Sequence, residues 1–155
     1  MSTLKAGDRA PAITLKDQKG KTRKLSEFKG KKVVVYFYPK ADTPGCTTQS
    51  CALRDAEPDL KKLKAVVIGI SPDSPERQAK FDDKYGLGFT LLADEAHEAA
   101  EKYGVWGEKV NYGRKYMGII RSAFVVDEAG KIAAAFYKIS PKDTVPKVTK
   151  VLGET

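Results

Sequence analysis

Hydrophobic and polar positions follow two rhythms along the chain, and the changes of rhythm mark its elements. Ile13 and Leu15 alternate with polar neighbours, Asp17-Gln18-Lys19-Gly20 carries turn residues, and Thr22-Arg23-Lys24-Leu25 returns, which predicts a hairpin over residues 12–25. Val33-Val34-Val35-Tyr36-Phe37-Tyr38 is apolar without a break. Such a run suits a central strand covered on both faces, and Pro39 ends it. A helical pattern runs from Thr43 to about Lys62, with Pro44 in its first turn and Pro58 expected to kink or split it. Residues 65–70 read as a second buried strand. Ser74-Pro75 opens a helix that Gly86 stops, residues 89–92 form a short strand, and residues 95–103 a short helix stopped by Gly104. Residues 105–118, rich in glycine and aromatics, read as a long loop. Two strands, 122–126 and 132–137, flank the turn Asp127-Glu128-Ala129-Gly130. After Ser140-Pro141, Val145, Val148 and Leu152 fall on one helical stripe.

The order is hairpin, β, α, β, α, β, α, β, β, α. It predicts an α/β architecture: a mixed central β-sheet, parallel in the middle, with helices on both faces and an antiparallel edge. The length of 155 residues suits a single domain over residues 1–155. No apolar run approaches the roughly 18 residues of a membrane helix, and Met1-Ser2-Thr3-Leu4-Lys5 begins no apolar signal region, so the expectation is a cytoplasmic protein without membrane contact.

Charge changes this picture little. Lys+Arg number 28 and Asp+Glu 20, a net charge of +8. Residues 1–40 hold eleven of the basic residues and three acids, so the whole excess lies there, densest between Lys16 and Lys32. A nucleic-acid strip usually mixes aromatics into such a run for stacking. Phe28 is the one aromatic in it, so a solvated hairpin, and no nucleic-acid partner, is the expectation.

Two cysteines and one histidine exclude a disulfide scaffold and a zinc site built from Cys and His alone. Both cysteines sit in Pro39-Lys40-Ala41-Asp42-Thr43-Pro44-Gly45-Cys46-Thr47-Thr48-Gln49-Ser50-Cys51, which leaves a buried strand and enters a helix. Sites in α/β sheets form at such carboxyl ends of strands. Cys46 falls in the first helical turn, where free N–H groups and the positive end of the helix dipole favour a thiolate over a thiol. Cys51 lies five residues on, and in an unbroken helix its Cα is ~8.6 Å from that of Cys46. A disulfide needs roughly 4.4–6.8 Å, so the two can bond only if the first turns unwind.

A reactive cysteine with a second one reached by local unfolding describes a two-step oxidation: thiolate to sulfenic acid, then condensation to a disulfide that a thiol reductant must open. Ionisation alone contributes about 30-fold, ~2 kcal/mol, against the ~8 kcal/mol or more that enzymes supply. The rest requires oriented donors around the breaking bond. Candidates are the Thr43 hydroxyl, the N–H groups of Gly45 and Cys46, and Arg121, held at the start of a buried strand.

These residues resemble the peroxiredoxins, whose Pro-x3-Thr/Ser-x2-Cys motif is matched by Pro39, Thr43 and Cys46 and whose strand arginine is matched by Arg121. The pattern is similar to the peroxiredoxin Q, or bacterioferritin comigratory protein, branch through Thr43–Cys51, Gly69-Ile70-Ser71-Pro72-Asp73 and Tyr103-Gly104-Val105-Trp106-Gly107-Glu108-Lys109. The resemblance covers about residues 4–152 and implies a thioredoxin-like fold. It also implies a thiol-dependent peroxidase acting on hydrogen peroxide and organic hydroperoxides, with no metal or haem, recycled by thioredoxin or a similar thiol, and often monomeric. Carried onto this chain, it makes Cys46 the peroxidatic and Cys51 the resolving residue. Thr43 and Arg121 then orient the peroxide, and Pro44 shields the thiolate. Pro39 and Gly45 complete the substrate-binding segment. One alternative stays open, a thiol–disulfide oxidoreductase or redox sensor on the same fold, although Cys-x4-Cys differs from the Cys-x2-Cys redox motif.

Overall fold

A computed structural model describes residues 3–154. Its centre is a seven-stranded sheet in the order β2-β1-β5-β4-β3-β8-β9. The strands are β1 (Thr14–Asp17), β2 (Thr22–Lys24), β3 (Lys32–Phe37), β4 (Ala65–Ser71), β5 (Thr90–Ala93), β8 (Ser122–Val126) and β9 (Ile132–Phe136). β3, β4 and β5 are parallel, while β8 joins β3, and β1 joins β5, antiparallel. The mixed sheet with its parallel centre is the one that the alternation of elements predicts, and it is the thioredoxin-like fold.

Every residue of β3 is buried, and its two faces feed two cores. Val34, Tyr36 and Tyr38 meet Leu53 and Leu60 of α1 (Pro44–Lys62), Phe81 of α2 (Pro75–Tyr85), and Val148 and Leu152 of α4 (Thr144–Glu154). Val33, Val35 and Phe37 meet Ile13, Tyr103, and Ala99 and Ala100 of α3 (Glu98–Lys102). Two-sided burial is why β3 reads as a continuous apolar run rather than an alternating one.

Three expectations need correction. Residues 105–118 are not a loop: β6 (Trp106–Asn111) and β7 (Arg114–Ile119) form an antiparallel ribbon. Tyr112 (φ 53°) and Gly113 (φ 78°) make its turn, both in the left-handed region that two-residue hairpins use. The ribbon is solvated on much of both faces, so no apolar alternation betrays it; Val110, Tyr112, Tyr116 and Met117 are all exposed. Pro58 does not split α1, which continues to Lys62. The ring removes one backbone donor a turn before the helix ends, and Pro58 is exposed. The helix expected over 95–103 shortens to Glu98–Lys102, because Asp94 draws the preceding backbone into a turn and accepts from the N–H groups of Ala99 and Ala100.

Packing between β3 and β4 has one tight point. Gly69 pairs with Tyr36, and a Cβ at Gly69 would stand 2.8 Å from the Tyr36 hydroxyl and 2.9 Å from Leu91 Cδ2. The missing side chain lets the Tyr36 ring cross β4 and bring its hydroxyl 2.7 Å from Ser50 Oγ on α1. Gly69→Ala is expected to destabilise the fold by about 1–3 kcal/mol through overpacking. Urea unfolding checks this, with a lower midpoint at unchanged m.

Candidate active site

The site begins where β3 runs out. The Tyr38 N–H continues the ladder to the Ile70 carbonyl (3.0 Å), and the chain then turns through residues 39–43. Two carboxylates hold that turn. Asp73 accepts from the Ala41 N–H (2.7 Å) and the Ser71 hydroxyl (2.7 Å). Asp42, at φ 61°, accepts from Lys84 Nζ (2.8 Å) and the Tyr85 hydroxyl (2.7 Å) of α2. Lys84 first, and Tyr85 with it, holds the Asp42 carboxyl below the usual carboxylate range.

Thr43 is the N-cap of α1, and Pro44 occupies the first helical position, where its missing N–H costs nothing. The Thr47 N–H closes the first helical bond, to the Thr43 carbonyl (2.8 Å). Helix geometry therefore leaves the amides of Gly45 and Cys46 without an intrahelical acceptor. The Thr43 hydroxyl does not cap the helix. It donates to the Lys40 carbonyl (2.7 Å), which leaves its oxygen lone pairs as acceptors.

Cys46 is fully buried in this first turn. Arg121, between β7 and β8, reaches it from across the sheet: Nη2 donates to Cys46 Sγ at 3.4 Å. Gly45 makes that approach possible, since a Cβ there would stand 3.0 Å from Nη2. The other arm of the guanidinium donates to Gln49 Oε1 (2.8 Å). Gln49 Nε2 in turn donates to Thr144 Oγ1 (2.9 Å), and that hydroxyl donates to the Ser140 carbonyl (3.0 Å). The arginine backbone is tied as well, its carbonyl accepting from the Ile139 N–H (2.9 Å).

Of the residues singled out in the sequence, Cys46, Arg121 and Gly45 are in direct contact, and Thr43 and Pro44 form the helix entry beside them. Pro39 is half-buried at the strand end and Pro44 is exposed. Cys51 is half-buried farther along the same continuous helix, and both cysteines are free thiols. The sequence reading missed Gln49 and Thr144. Gln49 carried a usable signal: it lies three residues after Cys46, hence on the same helical face. Thr144 meets it only through tertiary packing. Among the described residues no group of three His, Cys, Asp or Glu side chains is placed to hold a metal ion, and no helix is long and apolar enough to cross a membrane.

Residues 6–135 match the model of the AhpC/TSA family. This chain belongs to that family. Peroxiredoxin Bcp of Bacillus subtilis is 46% identical over 150 residues, covering 97% of this chain and 96% of the relative. Peroxiredoxin Bcp of Escherichia coli (strain K12) is 52% identical over 136 residues, covering 88% and 87%. A Xanthomonas campestris bacterioferritin comigratory protein, solved in work on its alkyl peroxide reduction activity, superposes with a TM-score of 0.89. It is 30% identical and covers 96% of this chain and 98% of that one. As a peroxiredoxin, the protein is a thiol-dependent peroxidase, an oxidoreductase that takes a peroxide substrate and a thiol reductant.

The Gln49 bridge gives a stability prediction. Gln49→Met leaves Arg121 Nη1 without its acceptor and removes the donor to Thr144. It is expected to lower stability by about 1–3 kcal/mol. Gln49→Glu keeps the acceptor for Arg121 and should lose less, which paired chemical denaturation curves measure.

Proposed function

We propose that Cys46 is the peroxidatic residue and Cys51 the resolving one in the reduction of hydrogen peroxide and organic hydroperoxides. The observation that carries this reading is the 3.4 Å contact from Arg121 Nη2 to a sulfur buried in the first turn of α1. Donors to an ionised sulfur make charge-assisted hydrogen bonds, roughly twice as strong as neutral ones.

In the first step the Cys46 thiolate attacks one peroxide oxygen and the O–O bond breaks. The sulfur is oxidised to sulfenic acid, and the other oxygen leaves, after protonation, as water or an alcohol. Arg121 and the amides of Gly45 and Cys46 donate to the oxygens as charge moves onto the leaving one. Thr43 Oγ, its proton committed to Lys40, accepts from the O–H of the incoming hydroperoxide and so fixes which oxygen faces the sulfur. Pro44 and Pro39 restrict water at the mouth. In the second step the Cys51 thiol condenses with the sulfenic acid, releasing water and forming the disulfide. A dithiol reductant, which we take to be thioredoxin, then opens it by exchange and is itself oxidised.

Both cysteines lie on one helix of one chain, so the cycle needs only a monomer. Two thiols that must be returned to the reduced state suit a reducing compartment, the cytoplasm. The alkyl peroxide activity named for the Xanthomonas relative supports including organic hydroperoxides among the substrates.

With hydrogen peroxide, thioredoxin, thioredoxin reductase and NADPH, Cys46→Ser is expected to abolish NADPH consumption; survival of the activity would sink the assignment. Cys51→Ser should leave the first turnover with peroxide intact and stop or slow recycling. Oxidation of the wild type should also expose the backbone amides of residues 44–54 to hydrogen exchange, since the disulfide requires local unwinding. Unchanged protection would contradict it.

A further inference from the structure

Lys109 is the one cation of the β6–β7 ribbon that turns inward. It pairs with Tyr116 across the ribbon, and its side chain lies over Gly118, where a Cβ would stand 3.1 Å from Lys109 Cδ and 3.3 Å from Tyr116 Cε2. The ammonium donates to the Ile119 carbonyl at 2.9 Å, two residues before Arg121. That stretch of backbone is fixed on its other side too, the Ile120 N–H donating to the Val105 carbonyl (2.7 Å).

A lysine on an exposed ribbon ordinarily extends its ammonium into water. This one is half-buried and, among the described residues, forms no ion pair with a carboxylate; neighbouring Glu108 faces Lys115 instead, at 3.9 Å. Burial, and after it the like charge of Arg121, pushes the Lys109 ammonium below its ordinary range, while Cys46 acts in the opposite direction. Arg121 and Cys46 both lie near enough to the Lys109 ammonium to act on it. The buried Tyr36 phenol stands within electrostatic reach of Cys46, Cys51 and Arg121. The Tyr36 phenol, fully buried, is pushed far above its ordinary range and stays neutral.

We propose that Lys109 is a positioning residue of the peroxidase site: anchored on the Ile119 carbonyl, its ammonium sets a second positive charge within electrostatic reach of Arg121 and Cys46 and holds the guanidinium–sulfur pair in its charged arrangement. This rests on the assignment of Cys46 as the peroxidatic residue. The guanidinium itself is aimed by its bonds to Cys46 Sγ and Gln49 Oε1. Gly118 supplies the channel through which the lysine passes.

The test is the rate of first-turnover sulfenic acid formation with hydrogen peroxide, followed from acid to alkaline pH, in wild type, Lys109→Met, Lys109→Gln, Lys109→Arg and Gly118→Ala. The two neutral variants are expected to raise the pH of half-maximal rate by about half a unit or more, and so to slow the reaction ~3-fold or more below that pH. Lys109→Arg should restore the profile, and Gly118→Ala should reproduce part of the shift by displacing the lysine chain. A lysine that merely braced the ribbon would lower the unfolding midpoint and leave the pH profile in place. That result, or an arginine variant as disturbed as the neutral ones, overturns the inference. Absence of sulfenic acid at Cys46 in the wild type overturns the assignment of Cys46 itself, and the inference falls with it.

Discussion

A sulfur with none of its surface open to water can carry charge only where the protein replaces the lost hydration. That constraint organises the molecule around Cys46. Burying an unpaired charge is costly, so donors must already stand in place before any peroxide arrives. The helix supplies two from its own geometry, the amides of Gly45 and Cys46. The guanidinium of Arg121 supplies the third, 3.4 Å away. Helix and arginine come from sequence positions 75 residues apart, so the sheet must deliver both to one point. It does so because β8 lies antiparallel against β3: the end of β3 that releases the chain into α1 is the end at which β8 begins, with Phe37 beside Ser122.

The contacts that hold this arrangement also oppose the second half of the cycle proposed for Cys46 and Cys51. Bringing Cys51 to Cys46 requires unwinding the turns that contain Gln49 and Ser50. Gln49 is tied to Arg121 and Thr144, and Ser50 to Tyr36. These are buried hydrogen bonds, each contributing about 1 kcal/mol net and more for the charged one. The reduced fold is therefore braced by the bonds that disulfide formation breaks. A sulfenic acid must outlive the opening of a braced helix turn before the second thiol reaches it. Reduction of the disulfide recovers the same bonds, which favours return of the open helix to its starting shape.

Much of the fold was legible because its central strands are buried on both sides and its helices carry ordinary punctuation. The continuous run 33–38 became β3, and the signals at Ser74 and Gly86 became caps, Ser74 Oγ accepting from the Arg77 N–H and Gly86 adopting φ 57°. The ribbon β6–β7 was illegible for the opposite reason: its strands pair mainly with each other and bury little, so periodicity carried no signal. Within the site, residues whose roles follow from local chemistry, Thr43, Gly45 and Cys46, could be picked out from spacing. Gln49 and Thr144 are joined by a hydrogen bond spanning 95 residues, and nothing in either's own neighbourhood announces the other.

Net charge shows the same separation between what is local and what is global. The +8 excess lies in residues 1–40; Lys29, Lys31 and Lys32 gather at the start of β3, opposite the end that leads to Cys46, and Lys40 follows that other end. Arg23 is committed to Asp17 (3.3 Å) and Glu27 (3.1 Å), with its guanidinium 5.5 Å from the centre of the Phe28 ring. Exposed charges more than about 10 Å apart are largely screened at physiological salt. Cations held in the protein interior are screened far less. A guanidinium bonded to the sulfur is therefore screened far less than the exposed lysines of that excess. The +8 can still steer an acidic reductant toward the protein.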